Sequence, residues 1–534
     1  MKKYLPCIVA GIFIGTSYIP FPPWATLFCF VPLWLFWLRH QSANWKTIFI
    51  GGWITQFVLT IIGFNWVALT AHEFGLMPWP LAIVVLFLFC ATANLDVPLA
   101  GLAWYFSSKR FQLNPQQKIL TMALWTAIFE SWTPTIFPWN YGYTWLWVNA
   151  PIAQTAELIG FQGLSSLIIL MNLGVLAWWQ QRKVRPLAIT IGIFAVLNIS
   201  GLIIKNTLPA NDQEARVLIT QANIGNMQKQ AAEVGESFRE HIFERYSNLT
   251  RTAITANPNT PVDFIVWPET AYPYDIDQRR WSAPNTNANS DFLEARYPFA
   301  ARRLLQFTQE MNASLITGGY GYSPYDNKVT NTFFIFEKSG LIQPNPYFKT
   351  ILLAFGEYIP GAQYFPEIKK WIPAGDFSRG PGPQMKSLKT QAELELKIGP
   401  QICYESLFPY FTKKLADQGA EMIVNLTNDS WYGTWQEPHQ HLYMTLARAI
   451  EFRRPLVRAT NTGISTVILA SGQILETSPM NREWTYLYTI PYKTAPGATF
   501  YQICPWLIDA LLIFSLFLLT GRSLVGSFKK SRLA

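Results

Sequence analysis

Residues 1–205 carry apolar runs longer than the interior of an ordinary soluble domain requires, and this feature limits what the chain can fold into more than any other. Crossing the hydrocarbon of a bilayer takes about 20 residues of helix. Apolar stretches of that order recur near residues 4–20, 24–38, 47–70, 80–106, 118–137, 162–180 and 186–204, with an eighth near 505–521. The first two are short and rich in Pro, so their ends are the least sharply drawn. The segment holds 11 Lys or Arg against 4 acidic residues, and short cytoplasmic loops are where positive charge collects. Lys2 and Lys3 precede the first run, Arg39 and Lys46 follow the second, Lys109, Arg110 and Lys118 the fourth, and Arg182, Lys183 and Arg185 the sixth. Lys205 alone falls in an opposite gap. Arg522, Lys529, Lys530 and Arg532 come after the eighth run. The alternation predicts both termini in the cytoplasm and residues 206–500 across the membrane. The expected layout is a transmembrane domain of about seven spans over 1–205, an extramembrane domain over 206–500, and a final helix with a basic tail over 501–534.

Charge distribution excludes one class of partner. The formal net charge is +9, but residues 1–205 supply +7 and the final tail +4, which leaves about −2 for everything between. No basic surface remains to track a phosphate backbone, so no nucleic acid is expected. Lys2, Lys3 and the first apolar run imitate a secretory leader, yet Pro20, Pro22 and Pro23 stand where a small-residue cleavage site belongs. An uncleaved first span is the better reading. Four of the five cysteines lie within or beside apolar runs, and Cys403 is the only one in the extramembrane domain. No disulfide can form inside that domain, no Cys/His cluster has metal-ligand spacing, and neither metal nor cofactor is expected.

From Glu214 onward the pattern shortens to strand-length runs alternating with helical ones, the mark of a layered α/β domain. Strands are predicted over 216–221, 263–267, 313–318, 331–337, 342–348, 396–403, 422–426, 456–460 and 465–469. Helices are predicted over 233–256, 292–311 and 436–453, the last with Leu442, Leu446 and Ile450 on one stripe as if packed on a sheet. Lys338-Ser339-Gly340 reads as a hairpin turn, and Gly380–Pro383 as a surface loop.

Three chemically competent residues end apolar strands. Glu269 follows Phe264-Ile265-Val266-Trp267-Pro268, Lys349 follows Pro346-Tyr347-Phe348, and Cys403 closes Leu396–Ile402. Strand ends at one sheet edge converge in space. A carboxylate beside a thiol can take its proton and return it to a leaving group, and an ammonium can stabilise the oxyanion of a tetrahedral intermediate. Lys349 and the N-H groups of a turn beginning at Tyr404 are further expected to lower the Cys403 thiol pKa. Glu, Lys and Cys together make a complete set for acyl transfer. Glu357 and Glu405 are two more carboxylates nearby, either supports of the site or solvated loop charges.

Four motifs carry a resemblance. Trp267-Pro268-Glu269-Thr270, the stretch from Tyr347-x-Lys349 to Phe355-Gly356-Glu357-Tyr358, Cys403-Tyr404-Glu405, and Asn425 to Gly433 with Asn428-Asp429 and Trp431-Tyr432-Gly433 resemble the nitrilase superfamily. They are most similar to its membrane-embedded branch, the apolipoprotein N-acyltransferases. Phe137-Pro138-Trp139 with Gly142-Tyr143, and Gln154-x-x-Glu157-x-x-Gly160-x-x-Gly163, resemble that branch's outward loops. The resemblance implies a multi-span α-helical membrane domain of about eight spans carrying a nitrilase-like αββα sandwich. It implies Glu269 as general base, Lys349 as oxyanion stabiliser and Cys403 as nucleophile, with Glu357, Tyr404 and Glu405 supporting the site and Trp431, Tyr432 and Gly433 in a substrate loop. The implied reaction takes an acyl chain from a membrane phospholipid, through a thioester on Cys403, to the N-terminal amine of diacylglyceryl-cysteine on an apolipoprotein. The implied location is a bacterial inner membrane, with the catalytic domain in the periplasm.

The chain departs from that pattern at two places. Ala354 stands where many members have Pro, and Gln230 aligns where a Trp is common, which bears on headgroup or chain-length preference. A membrane-anchored amidase would share the triad and use water as second acceptor. A transporter would use Asp96 and Glu130, carboxylates within or beside apolar spans, but shows no inverted repeat and leaves the triad without a task.

Overall fold

The computed structural model describes residues 2–225, 236–277, 299–370 and 375–531. These divide into two compact units. One comprises Met1–Leu208, Trp435–Ala447 and Thr499–Ala534, the other Pro209–Thr434 and Arg448–Ala498.

The first unit is helical. Among the described residues, four stretches are long and apolar enough to cross a bilayer, namely Trp45–Gly63, Trp79–Arg110, Pro151–Gln181 and Val184–Asn206, and Leu507–Gly521 is a shorter apolar helix. Val184–Asn206 leaves Ile189, Ile191, Val196, Ile199 and Ile203 exposed, a surface suited to hydrocarbon rather than water. Other apolar runs fold into shorter pieces than their length predicts. The run near 4–20 yields the helix Leu5–Gly15, and the run near 24–38 becomes helical from Val31 to Arg39. Pro20, Pro22 and Pro23 lie between these helices; Pro lacks the N-H a helix interior needs and pushes the preceding residue out of helical backbone. The run near 80–106 divides into Trp79–Thr92 and Asp96–Arg110. Asn94 and Asp96 mark that interruption, as short polar side chains that favour helix ends over interiors.

Trp435–Ala447 belongs to this helical unit although it lies far along the chain. It begins the helix Glu437–Phe452. Gln440 Nε2 donates to the Ile19 and Gly63 carbonyls, both at 2.9 Å, while its Oε1 accepts from Trp66 Nε1 at 3.2 Å. Gln436 Nε2 donates to the Ile62 carbonyl at 2.8 Å. Ile62 and Gly63 end the helix Trp45–Gly63, so the two glutamines satisfy carbonyls that a helix terminus leaves unpaired. The sequence placed this whole segment against a sheet; its first half instead keeps company with the membrane helices.

The second unit is a two-sheet α/β sandwich. Its strands are β1 (Gln213–Gln221), β2 (Phe264–Val266), β3 (Ser314–Tyr322), β4 (Val329–Phe336), β5 (Tyr347–Phe348), β6 (Lys386–Lys389), β7 (Glu395–Ile402), β8 (Met422–Thr427), β9 (Leu456–Thr460), β10 (Thr466–Ile468) and β11 (Trp484–Tyr492). One sheet has the order β11-β1-β2-β3-β4-β5, the other β10-β9-β8-β7-β6. Strands β1, β2 and β3 are parallel, as are β7, β8 and β9. The sheets pack face to face, β1 on β9 and β4 on β7. Outside the first sheet, the helices Glu236–Thr255 and Phe299–Met311 set Phe243, Tyr246, Leu304 and Phe307 against Leu218, Ile265, Trp267 and Leu315. Outside the second, Pro409–Asp417 covers β7. With both faces covered, the central strands are apolar at successive positions, as Phe264-Ile265-Val266 shows.

Most predicted strands are present. Lys338–Gly340 turns the chain as expected, with Gly340 N-H donating to the Glu337 carbonyl at 3.0 Å. The strand predicted over 342–348 is reduced to Tyr347–Phe348 and a single bridge from Ile342 to Phe336, because Pro344 and Pro346 remove the N-H groups a ladder needs. The first residues of the helices predicted at 233 and 292, and Gln230, lie outside the described residues.

Candidate active site

Topology brings the predicted triad to one edge. Glu269 follows the C-terminal end of β2. Strand β4 is antiparallel to β3, and β5 antiparallel to β4, so β5 runs with β2 and its C-terminal end delivers Lys349 to the same side. Cys403 follows β7, a parallel strand of the facing sheet. Two close approaches make the convergence possible. A side chain on Gly318 would lie 2.7 Å from Glu269 Cα, and one on Gly380 would lie 2.1 Å from the Phe348 carbonyl oxygen. Gly380 N-H donates to the Lys349 carbonyl at 2.7 Å, so the predicted loop at Gly380–Pro383 starts on the Lys349 backbone.

Lys349 is the hub. Its side chain is 2% exposed, and Nζ donates to Glu357 Oε1 at 2.8 Å and to Glu269 Oε1 at 3.2 Å. Burial pulls a lysine toward its neutral form, but the charges of Glu269 and Glu357 outweigh it and hold the ammonium well above its ordinary pKa. Glu357 is fixed from behind, its Oε2 accepting from Leu353 N-H at 2.9 Å.

Cys403 is buried, with backbone φ of +50°, a left-handed conformation unusual for a residue with a Cβ. It is the first residue of the 3-10 helix Cys403–Leu407. A sharp strand-to-helix turn is a recurrent way to present a nucleophile. The thiol differs from the sequence expectation. Burial, then the charge of Glu269, pushes its pKa up, and the Lys349 ammonium and Thr427 hydroxyl offset this only in part. The direction is opposite to the lowered pKa expected from a cation and helix terminus alone. The charge of Glu269 acts against an ionised sulfur.

Glu405 straps two segments together. Its Oε1 accepts from Tyr347 OH at 2.6 Å, Thr350 N-H at 2.6 Å and Ile351 N-H at 3.1 Å, and its Oε2 from Ile402 N-H at 2.8 Å. It thus ties the chain after Lys349 to the turn that carries Cys403. Burial pushes its carboxyl up to about 7 against the pull of these donors. Tyr404 is buried, edge-on to Phe408 at 5.0 Å between ring centres, and burial raises its phenol pKa. Of the loop candidates, Tyr432 is buried and its N-H donates to the Asp429 carbonyl at 3.3 Å, Trp431 is half-buried, and Gly433 lines a polar cavity of about 100 Å³ with Asp429 and Thr462. A larger cavity of about 420 Å³ opens beside Thr270, with Tyr272, Tyr320 and Phe377 in its wall.

Two further supports had no role assigned from the sequence: Asn331 was not singled out, and Asn425 only opened a quoted motif. Asn331, on β4, donates from Nδ2 to Glu269 Oε1 at 2.6 Å and to Glu357 Oε1 at 3.3 Å. Asn425, on β8, donates to the Cys403 carbonyl at 3.4 Å and accepts from Arg458 Nη1 at 3.1 Å, and Arg458 Nη2 also donates to Asp429 Oδ2 at 2.8 Å. Asn425 was visible as a polar side chain within an apolar strand run, whereas Asn331 lies between Thr330 and Thr332 and gives no such contrast.

Both regions of the chain are similar to known protein families. The model of the family "Apolipoprotein N-acyltransferase N-terminal domain" matches residues 10–174, and that of "Carbon-nitrogen hydrolase" matches residues 206–495. An apolipoprotein N-acyltransferase of Bdellovibrio bacteriovorus is 42% identical over 511 residues, covering 93% of this chain and 90% of its own. One from Pseudomonas aeruginosa is 29% identical, covering 89% of this chain and 87% of its own. Among solved structures, an amidase of the nitrilase superfamily from Nesterenkonia is similar over 53% of this chain and 93% of its own, with a TM-score of 0.36 and 16% identity.

Proposed function

The chain belongs to the apolipoprotein N-acyltransferase family, and from that premise we propose that it acylates lipoproteins by a ping-pong reaction through Cys403, with a membrane phospholipid as acyl donor. The observation that carries this reading is the buried set of Glu269, Lys349 and Cys403, in which the thiol lies within the electrostatic reach of a paired carboxylate and ammonium.

In the first half-reaction, Cys403 Sγ attacks the ester carbonyl of the phospholipid as its proton passes to Glu269. The Lys349 ammonium stabilises the oxyanion. Collapse breaks the ester C-O bond, Glu269 returns the proton to the departing lyso-phospholipid oxygen, and the acyl chain remains as a thioester. In the second half, the α-amine of a diacylglyceryl-cysteine attacks the thioester, its proton passes through Glu269 to the sulfur, and an amide is formed. Because each buried methylene costs about 0.8 kcal/mol to expose to water, a donor of this kind favours an enzyme held at the bilayer. Trp431–Gly433 serves as a substrate loop in this account.

The alternation of Lys and Arg between apolar runs supports an inner-membrane protein with about eight spans, both termini cytoplasmic and residues 206–500 periplasmic. The test is transfer in mixed micelles of phospholipid and a synthetic diacylglyceryl-cysteine peptide. The peptide should gain one acyl chain for each lyso-phospholipid released. Free fatty acid with an unmodified peptide would contradict the proposal and favour a hydrolase.

A further inference from the structure

Asn331 is 3% exposed, and its place in the catalytic cluster is fixed twice. Its backbone carbonyl accepts from Lys349 N-H at 2.9 Å. Its side-chain Nδ2 donates to one oxygen of Glu269 and one of Glu357. Carboxylate oxygens only accept, so the amide can face them in one orientation alone, nitrogen toward the acids and Oδ1 away from them. That Oδ1 is buried and has no hydrogen-bond partner among the described residues. A buried acceptor without a donor costs free energy and calls for an explanation.

The two half-reactions place different demands on such an atom. A thiol brings one hydrogen to the site, and Glu269 takes it. A primary amine brings two: one must reach the base, and the other needs an acceptor as the nitrogen becomes positive in the tetrahedral intermediate. Resting on the acyl-transfer reading above, we propose that Asn331 Oδ1 accepts a hydrogen bond from the attacking α-amine, directing the amine's other N-H toward Glu269. Asn331 would then be a substrate-binding residue for the second half-reaction as well as a support for Glu269 in both.

The experiment measures the halves separately in the full-length protein. Thioester formation is followed by single-turnover release of lyso-phospholipid, and discharge by chasing the isolated acyl-enzyme with diacylglyceryl-cysteine peptide. Asn331→Leu removes donor and acceptor. Losing the donor slows both halves alike, since Glu269 serves both, so the excess slowing of discharge isolates Oδ1. That excess should be at least about tenfold, the size of one buried hydrogen bond. Asn331→Asp keeps an acceptor at the same place and should slow both halves by one common factor. Equal slowing in Asn331→Leu overturns the inference, as does an excess loss of discharge in Asn331→Asp. If Asn331→Leu does not fold, Asn331→Asp decides alone by the same criterion. A wild-type protein that forms no thioester would instead refute the underlying reading.

Discussion

Gln440 in the helical unit and Asn331 in the α/β unit are both buried side-chain amides, and their surroundings differ in kind. Gln440 places its nitrogen on the Ile19 and Gly63 carbonyls and its oxygen on the Trp66 indole. Asn331 places its nitrogen on two carboxylates, while its oxygen meets no donor among the described residues. The first closes a local account of helix-end hydrogen bonds. The second belongs to the candidate catalytic cluster, with a buried ion-paired lysine, a buried thiol and an unmet acceptor. Gln440 has both ends of its amide met, whereas Asn331 keeps one acceptor open beside Glu269 and Glu357.

The comparison is broken most severely at Lys349. Replacing Lys349 with Met removes the proposed oxyanion stabiliser, for which a loss of about 10²–10³ in the rate of lyso-phospholipid release is expected. It also leaves Glu269 and Glu357 buried without a counter-charge, which should cost about 3–5 kcal/mol of stability. Adding Glu357→Gln should recover part of the stability and none of the rate. Thermal unfolding in detergent and single-turnover release separate the two effects. Recovery of both would show the lysine to be a structural ion pair.

Glu405 should make the α/β unit sensitive to pH. Its carboxyl is raised from the ordinary 4.5 to about 7, so the fold favours its protonated form. The stability it lends is fully present below the unfolded value and is lost as pH rises through 7. Wild type should lose on the order of 3 kcal/mol relative to Glu405→Gln between about pH 4.5 and pH 8. Parallel stability curves for the two proteins would refute this.

The smallest effect is expected at Gln440. Gln440→Ala should lower stability by about 1–2 kcal/mol and leave turnover per folded molecule unchanged. Reduced turnover in fully folded protein would erase the distinction between the two amides.

Much of this arrangement was legible in the sequence, and the failures have physical causes. The strand end that carries Glu269 was visible because a strand covered on both faces, Phe264–Val266, is apolar throughout. Lys386–Lys389 was not recognised, since an edge strand reading Lys-Ser-Leu-Lys has one inward residue and no contrast with a loop. Trp484–Tyr492 alternates as a strand should and was overlooked. The direction of the Cys403 pKa shift was misjudged because neighbouring charges can be guessed from motifs, whereas burial on all sides depends on the assembled sheets. Asn331 stood inside a predicted strand, but only the finished register shows which carboxylates its amide meets. The partners of Gln436 and Gln440 lie more than 370 residues earlier in the chain, beyond the reach of local periodicity.

The most direct test of the account is intact-mass detection of an acyl adduct after purified protein and its Cys403→Ala variant are incubated with phospholipid and no acceptor. The account predicts a single hydroxylamine-labile acyl chain on the wild type alone, formed with release of one lyso-phospholipid. A preparation that acylates peptide yet shows neither adduct nor lyso-phospholipid, or an equal adduct on Cys403→Ala, would contradict it.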